Sequence, residues 1–138
     1  MPRKGSLHMQ WELDNNVPLY LQLADKVKIS IVSGEYAPGS RIDSVRDLAE
    51  QTGVNPNTMQ RALSRLEDEG LLLTNRTSGK YVTEDTALIE KFKNELAKEY
   101  VENFLASMRQ MGFSAEIILT LLQSAAVKEG DANVYNGM

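Results

Sequence analysis

The stretch that most constrains this chain is Gly53-Val54-Asn55-Pro56. It lies between two short amphipathic segments and is too brief to let them run apart. Gly53 is a left-handed stop. Asn55 is a side-chain cap for a new helix, and Pro56 suits the first helical position because its missing N–H would be unpaired there anyway. Before the turn, Ser44 can cap a helix by accepting from the amide of Asp47, with Asp47 answering in a variant of the capping box. Val45, Leu48 and Ala49 make that helix's apolar face. After the turn, Met59, Ala62, Leu63 and Leu66 recur at helical spacing and form one buried stripe, until Gly70 closes the helix after about Glu69. At about 100° per residue, Asn57, Gln60, Arg61 and Ser64 point away from that stripe.

Upstream, Pro18 opens a first helix at its first helical position, with Leu19, Tyr20, Leu23, Val27 and Ile31 on one face and Gly34 as the stop. Tyr36-Ala-Pro-Gly-Ser40 is a turn, and Arg41-Ile42 leaves room for a very short strand. Downstream, Leu71–Thr74 and Lys80–Thr83 are strand-forming and enclose a polar, cationic tip, so they predict a β-hairpin. Residues 84–111 contain no Gly or Pro and predict one long helix, broken by Gly112. Ser114 can cap a last helix to about Lys128, and residues 129–138 read as a flexible tail. Residues 1–9 read as a cloning remnant or flexible arm, with Met9 as the natural start. Trp11 and Tyr20 read as packing anchors.

Two short helices joined by a glycine-containing turn are the helix-turn-helix signature, and the hairpin after them makes it winged. In that motif the second helix of the pair presents its N-terminal end to the major groove of DNA. Short polar side chains there can reach phosphates and base edges, and Asn55, Asn57, Thr58, Gln60 and Arg61 fill those places. Asn and Gln can bond adenine in bidentate fashion, and Arg can do so with guanine. Glu67-Asp68-Glu69 sits at the opposite end and would face away from DNA. The expected fold is mainly α with a small β-wing. A winged helix-turn-helix domain spans residues 10–83 and a C-terminal two-helix dimerisation domain spans residues 84–128.

Composition narrows the function. The only histidine is His8, in the suspected remnant, and there is no cysteine. Disulfides, thiolate metal sites and most nucleophilic or acid–base chemistry then lack their residues, so neither an enzyme nor a metal or other cofactor is expected. No apolar run approaches the ~20 residues of a membrane span and no secretory signal is visible, so a cytoplasmic protein is expected. The net charge of −4 is unusual for a nucleic-acid binder, but residues 1–83 carry 10 Lys/Arg against 10 Asp/Glu. The whole excess lies in residues 84–138, with 5 against 9.

The residues Val17-Pro-Leu-Tyr-Leu-Gln22, Gly39-Ser-Arg-Ile42, Ser44-Val-Arg-Asp-Leu-Ala49, Gly53-Val-Asn-Pro-Asn-Thr58, Ala62-Leu63, Leu66 to Leu71 and Gly79-Lys-Tyr-Val82 resemble those of the GntR family of bacterial transcription regulators, in particular its short YtrA-like branch. The likeness is dense over residues 11–83 and architectural over 84–128. It implies DNA contacts at Arg46, Pro56, Asn57, Thr58, Gln60 and Gly79. Our own reading adds Arg41, Arg61, Arg76 and Lys80 as phosphate-side candidates, with Ser78 beside them. Ser44 is mainly a cap with a phosphate bond as a second role, and Pro56 is more a helix starter than a base reader. Taken alone, Arg46 would be a solvated helix residue, Arg61 could equally pair with an acid, and Arg76 and Lys80 could merely keep a hairpin tip soluble. Two positions depart from the family's usual pattern: Asp43 stands where it has proline, and Thr77 where it often has a second wing glycine. The resemblance also implies a repressor encoded beside ABC-transporter genes.

Two C-terminal helices are too few to bury their own apolar faces, so pairing with a second copy is expected. The stripe Leu88, Phe92, Leu96, Tyr100, Phe104 and Met108, with Ile117, Ile118, Leu121 and Leu122 of the last helix, is the expected dimer interface. A two-fold dimer would bind a near-palindromic operator in double-stranded DNA with half-sites about 34 Å apart, or a multiple of that. An alternative is a sensor whose small-molecule effector sits between these helices. A winged helix that binds only protein should lack the polar outer face seen here.

Overall fold

The computed structural model describes residues 16–132. The readings made for residues 1–9, for Trp11 and for residues 133–138 lie outside the described residues. The elements are α1 (Leu19–Val32), α2 (Val45–Thr52), α3 (Pro56–Asp68), β1 (Leu72–Asn75), β2 (Gly79–Val82), α4 (Thr86–Gln110) and α5 (Ala115–Ala132). They fall into two compact units that divide within α4, between Asn94 and Glu95.

In the first unit α3 is central and packs on α1, α2 and β1. Leu23, Val27 and Ile31 of α1, Leu48 and Ala49 of α2, and Met59, Ala62, Leu63 and Leu66 of α3 share one buried cluster. These are the stripes that periodicity predicts. Burying each large member stabilises the fold by about 1.5–3 kcal/mol. Ile89 belongs to the same cluster, and Leu88 and Phe92 pack against it. The first turns of α4 are therefore part of this core, beyond the expected limit at Thr83.

The caps explain the boundaries. Ser44 Oγ accepts from the amide of Asp47 at 3.0 Å. Gly53, at φ 71°, ends α2 in the left-handed region that a side chain would resist. Asn55 Oδ1 accepts from the amide of Asn57 at 2.7 Å, and Pro56 takes the first helical position. Pro18 is the N-cap of α1 and not its first helical residue: its carbonyl accepts from the amides of Leu21 and Gln22. α4 starts two residues later than expected because Asp85 Oδ1 accepts from the amide of Leu88 at 3.0 Å, a capping role that leaves Asp85 outside the helix. Ser114 caps α5 through the amide of Ile117 at 3.3 Å. That helix runs on to Ala132, so residues 129–132 are helical where a tail is expected. Gly130 within it costs roughly 1 kcal/mol relative to alanine, which is too little to end a helix by itself.

The wing is antiparallel, paired from Leu72↔Val82 to Asn75↔Gly79, each strand one residue offset from expectation. The Arg41–Ile42 strand reduces to a single bridge, Arg41↔Tyr81, supported by bonds from the Ile42 amide to the Lys80 carbonyl and from the Val82 amide to the Ser40 carbonyl. Asn75 Oδ1 accepts from both the amide and the hydroxyl of Thr77. Among the described residues only glycines have positive φ, so Thr77 enters the tip without a left-handed backbone. No helix of the described residues is long and apolar enough to cross a membrane.

Candidate nucleic-acid interface

The solvent face of α3 is built from its first two turns. Pro56, Asn57, Gln60 and Arg61 are exposed and Thr58 is half-buried. Gln60 Nε2 donates to Ser64 Oγ at 3.1 Å along the helix surface, an exposed bond that a better partner can replace. The side-chain oxygen of Asn55 is committed to the cap. The Arg61 guanidinium lies over the Tyr20 ring, 3.8 Å from its centroid. Among the described residues no carboxylate pairs with Arg61, and Tyr20 is a platform as well as a packing anchor.

On α2, Arg46 is highly exposed and lies 3.6 Å from Glu50. An exposed pair of this spacing stabilises by about 0.3–0.5 kcal/mol, so an anion can compete for the arginine. Arg41 and Ser44 share a cleft with Asp43 and Asp47, whose carboxyls work against an anion at Ser44. Asp43 accepts from Gln51 Nε2 at 3.1 Å, which gives the residue standing in place of proline a structural task.

At the wing, Arg76 is exposed at the tip, with Ser78 and Gly79 half-buried behind it. Gly79 has φ 107°, and a Cβ there would meet Arg41 Nε at 3.2 Å, so glycine allows Arg41 to lie along this end of the hairpin. Lys80 is a different kind of residue from the one expected. Its ammonium donates to Glu67 Oε1 at 2.8 Å and to Thr74 Oγ1 at 3.1 Å, and only 13% of its side chain is exposed. The Thr74 hydroxyl donates to the other Glu67 oxygen. Lys80 is thus a clamp between wing and α3 and not a free cation at the tip. The acidic run has matching tasks, since Glu69 Oε2 pairs with the buried Lys28 at 3.0 Å. Neither pairing is visible in sequence, because the partners lie on different elements.

Burial pushes the Glu67 carboxyl up, but the hydrogen bonds from Lys80 and Thr74 and the charge of Lys80 outweigh it and hold the carboxyl below its usual range. A carboxyl that ionises at lower pH folded than unfolded adds stability above the ordinary carboxylate range, and loses it as pH falls through the folded value. Glu67→Gln should therefore lower Tm at pH 7, and the gap from wild type should close as pH falls below the ordinary carboxylate range. Melting curves across that range check it; a gap independent of pH contradicts the clamp.

The expected dimer residues divide. Leu88 and Phe92 pack on the core of the first unit. Leu96 and Ile118 are buried within the single chain. Tyr100, Phe104, Ile117, Leu121 and Leu122 are exposed and Met108 is half-buried. Val101, Phe113, Leu119 and Val127 are exposed apolar residues that the stripe omitted. A one-stripe reading of each helix could not find them.

A tight α2–α3 turn, an α3 with a polar outer face and a hairpin clamped beside it define the winged helix-turn-helix domain of a transcription regulator. The sequence profile of the bacterial regulatory proteins of the gntR family matches residues 19–82. The HTH-type transcriptional regulator YhcF of Bacillus subtilis is 36% identical over 111 residues, covering 80% of this chain and 92% of that protein. The HTH-type transcriptional repressor YtrA of the same organism is 32% identical over 123 residues, covering 86% and 94%. A solved GntR family transcriptional regulator from Listeria monocytogenes superposes with a TM-score of 0.73 at 38% identity, covering 81% of this chain and 98% of that one. The chain belongs to the GntR family.

Proposed function

We propose that the protein is a dimeric, sequence-specific DNA-binding regulator that represses an operon near its own gene. The observation that carries the reading is the outer face of α3, where Asn57, Gln60 and Arg61 are exposed, together with the exposed wing arginine Arg76 at the hairpin tip. In this reading Asn57, Thr58 and Gln60 meet base edges in the major groove, while Arg41, Arg46, Arg61 and Arg76 meet phosphates. Repression is supported by the likeness to a protein named a transcriptional repressor. The exposed apolar residues of α4 and α5 support a homodimer. No specific observation favours an effector lodged between these helices. The transporter genes that the resemblance implies make the neighbouring operon the first place to seek the operator.

The division of roles is testable. Gln60→Ala should cost about 1–3 kcal/mol on the operator and relax base preference. Arg76→Ala should weaken all sequences alike and reduce the salt slope by about one. Binding assays on the upstream fragment and on random DNA separate the two. Equal losses by both variants on both DNAs would show that α3 and the wing do not divide the work this way.

A further inference from the structure

The starts of α1 and α3 border an open cavity of about 590 Å³, lined by Pro18, Leu19, Tyr20, Asn57, Thr58 and Arg61. Its cation is held in an unusual way. The Arg61 guanidinium lies over the Tyr20 ring at 3.8 Å from the centroid. By contrast Lys28, Arg46 and Lys80 each have a carboxylate partner. A ring face attracts the cation without consuming its N–H donors, which remain in the guanidinium plane in a fork that fits phosphate oxygens. A free arginine side chain loses much rotamer freedom when it is fixed, and a platform removes part of that loss before any ligand arrives. The platform is fixed, because Tyr20 is half-buried and packs against the core. Arg61 is one helical turn beyond Asn57 and so shares its face of α3.

We propose that Tyr20 is a positioning residue for DNA binding: its ring holds the Arg61 guanidinium at this cavity so that the N–H fork meets a backbone phosphate beside the groove that α3 reads. The inference rests on the DNA-binding reading above. It assigns α1 a part in recognition, through a residue that touches DNA only by way of Arg61.

The test compares wild type, Tyr20→Phe, Tyr20→Leu, Arg61→Ala and the double variant Tyr20→Leu/Arg61→Ala. Each is titrated by fluorescence anisotropy, over a range of salt, against a duplex of the upstream region and a random duplex of equal length, and each is melted. Arg61→Ala should weaken both duplexes and flatten the salt slope by about one. Tyr20→Phe keeps the ring and should bind as wild type does. Tyr20→Leu should weaken both duplexes about two- to fivefold at low salt, the scale of an exposed cation–π contact. The double variant should be no weaker than Arg61→Ala alone, because without the guanidinium the ring has nothing to position. An unchanged slope in Arg61→Ala overturns the proposal whatever Tyr20→Leu does, and Arg61 is exposed, so its truncation spares the fold. Losses that multiply in the double variant overturn it too, since Tyr20 would then act apart from Arg61. A wild type that binds neither duplex overturns the DNA-binding reading itself; a wild type that binds while Tyr20→Leu binds equally well overturns this inference alone.

Discussion

Replacing Phe104 with aspartate should yield a monomer that keeps its winged-helix unit folded and loses operator affinity by about 10²–10⁴-fold, the scale of two linked half-sites against one. Of the twelve exposed large apolar side chains among the described residues, ten fall between Tyr100 and Val127. Scattered apolar residues on a surface need no explanation, but a concentration of them on one helix pair marks an association site. Phe104 is 38% exposed and Leu121 44% exposed in the protomer. Covering such a side chain is worth up to about 1.5–3 kcal/mol, and a two-fold interface counts it twice. An aspartate there would have to be desolvated if the dimer still formed. Because both residues lie beyond the unit that holds α1 to β2, Phe104→Asp and Leu121→Asp should leave that unit's melting unchanged. Sedimentation of wild type and variants checks the claim. A wild type that is monomeric at micromolar concentration refutes it, and a variant that stays dimeric moves the interface off this face.

What the sequence made legible was local. Gly53, Asn55 and Pro56 act on their immediate neighbours, so the α2–α3 turn was readable without any knowledge of the rest of the chain. The same holds for the caps at Ser44 and Ser114, each of which bonds the amide three residues on. The stripe Met59, Ala62, Leu63 and Leu66 was readable because a helix needs one such face to be buried at all. The wing was readable as a hairpin, but its offset depends on Asn75 and Thr77 bonding each other, which composition does not reveal.

The candidate site was legible in its residue types and less so in their partners. Arg61 and Tyr20 belong to different helices, so only packing could bring the ring beneath the guanidinium. Lys80 read as a tip cation because sequence does not show that Glu67, on the neighbouring α3, reaches it. The apolar residues of α4 posed a harder problem. Periodicity showed that Leu88, Phe92, Leu96 and Phe104 share a stripe, but not that its first turns serve the core of the first unit while its later ones stay exposed. A helix that starts in one compact unit and continues into another carries two burial patterns in one register.

The second large effect is the dependence on salt. A protein that neutralises phosphates with lysine and arginine releases condensed cations, so affinity falls with each contact as salt rises. Arg41, Arg46, Arg61 and Arg76 supply four candidates per protomer, or about eight in a dimer, within the range of 6–10 contacts that gives a 10³–10⁵-fold loss between 50 and 200 mM salt. Lys80 is left out because Glu67 holds it. The net charge of −4 does not oppose this, since its excess acid lies after residue 83. The most direct test of the whole account is therefore a titration of the protein against the DNA upstream of its own gene at these two salt concentrations, with random DNA alongside. The protein should bind tightly at 50 mM, lose about 10³–10⁵-fold at 200 mM and clearly prefer the upstream fragment at both. Binding that ignores salt, or no binding at either concentration, would contradict it.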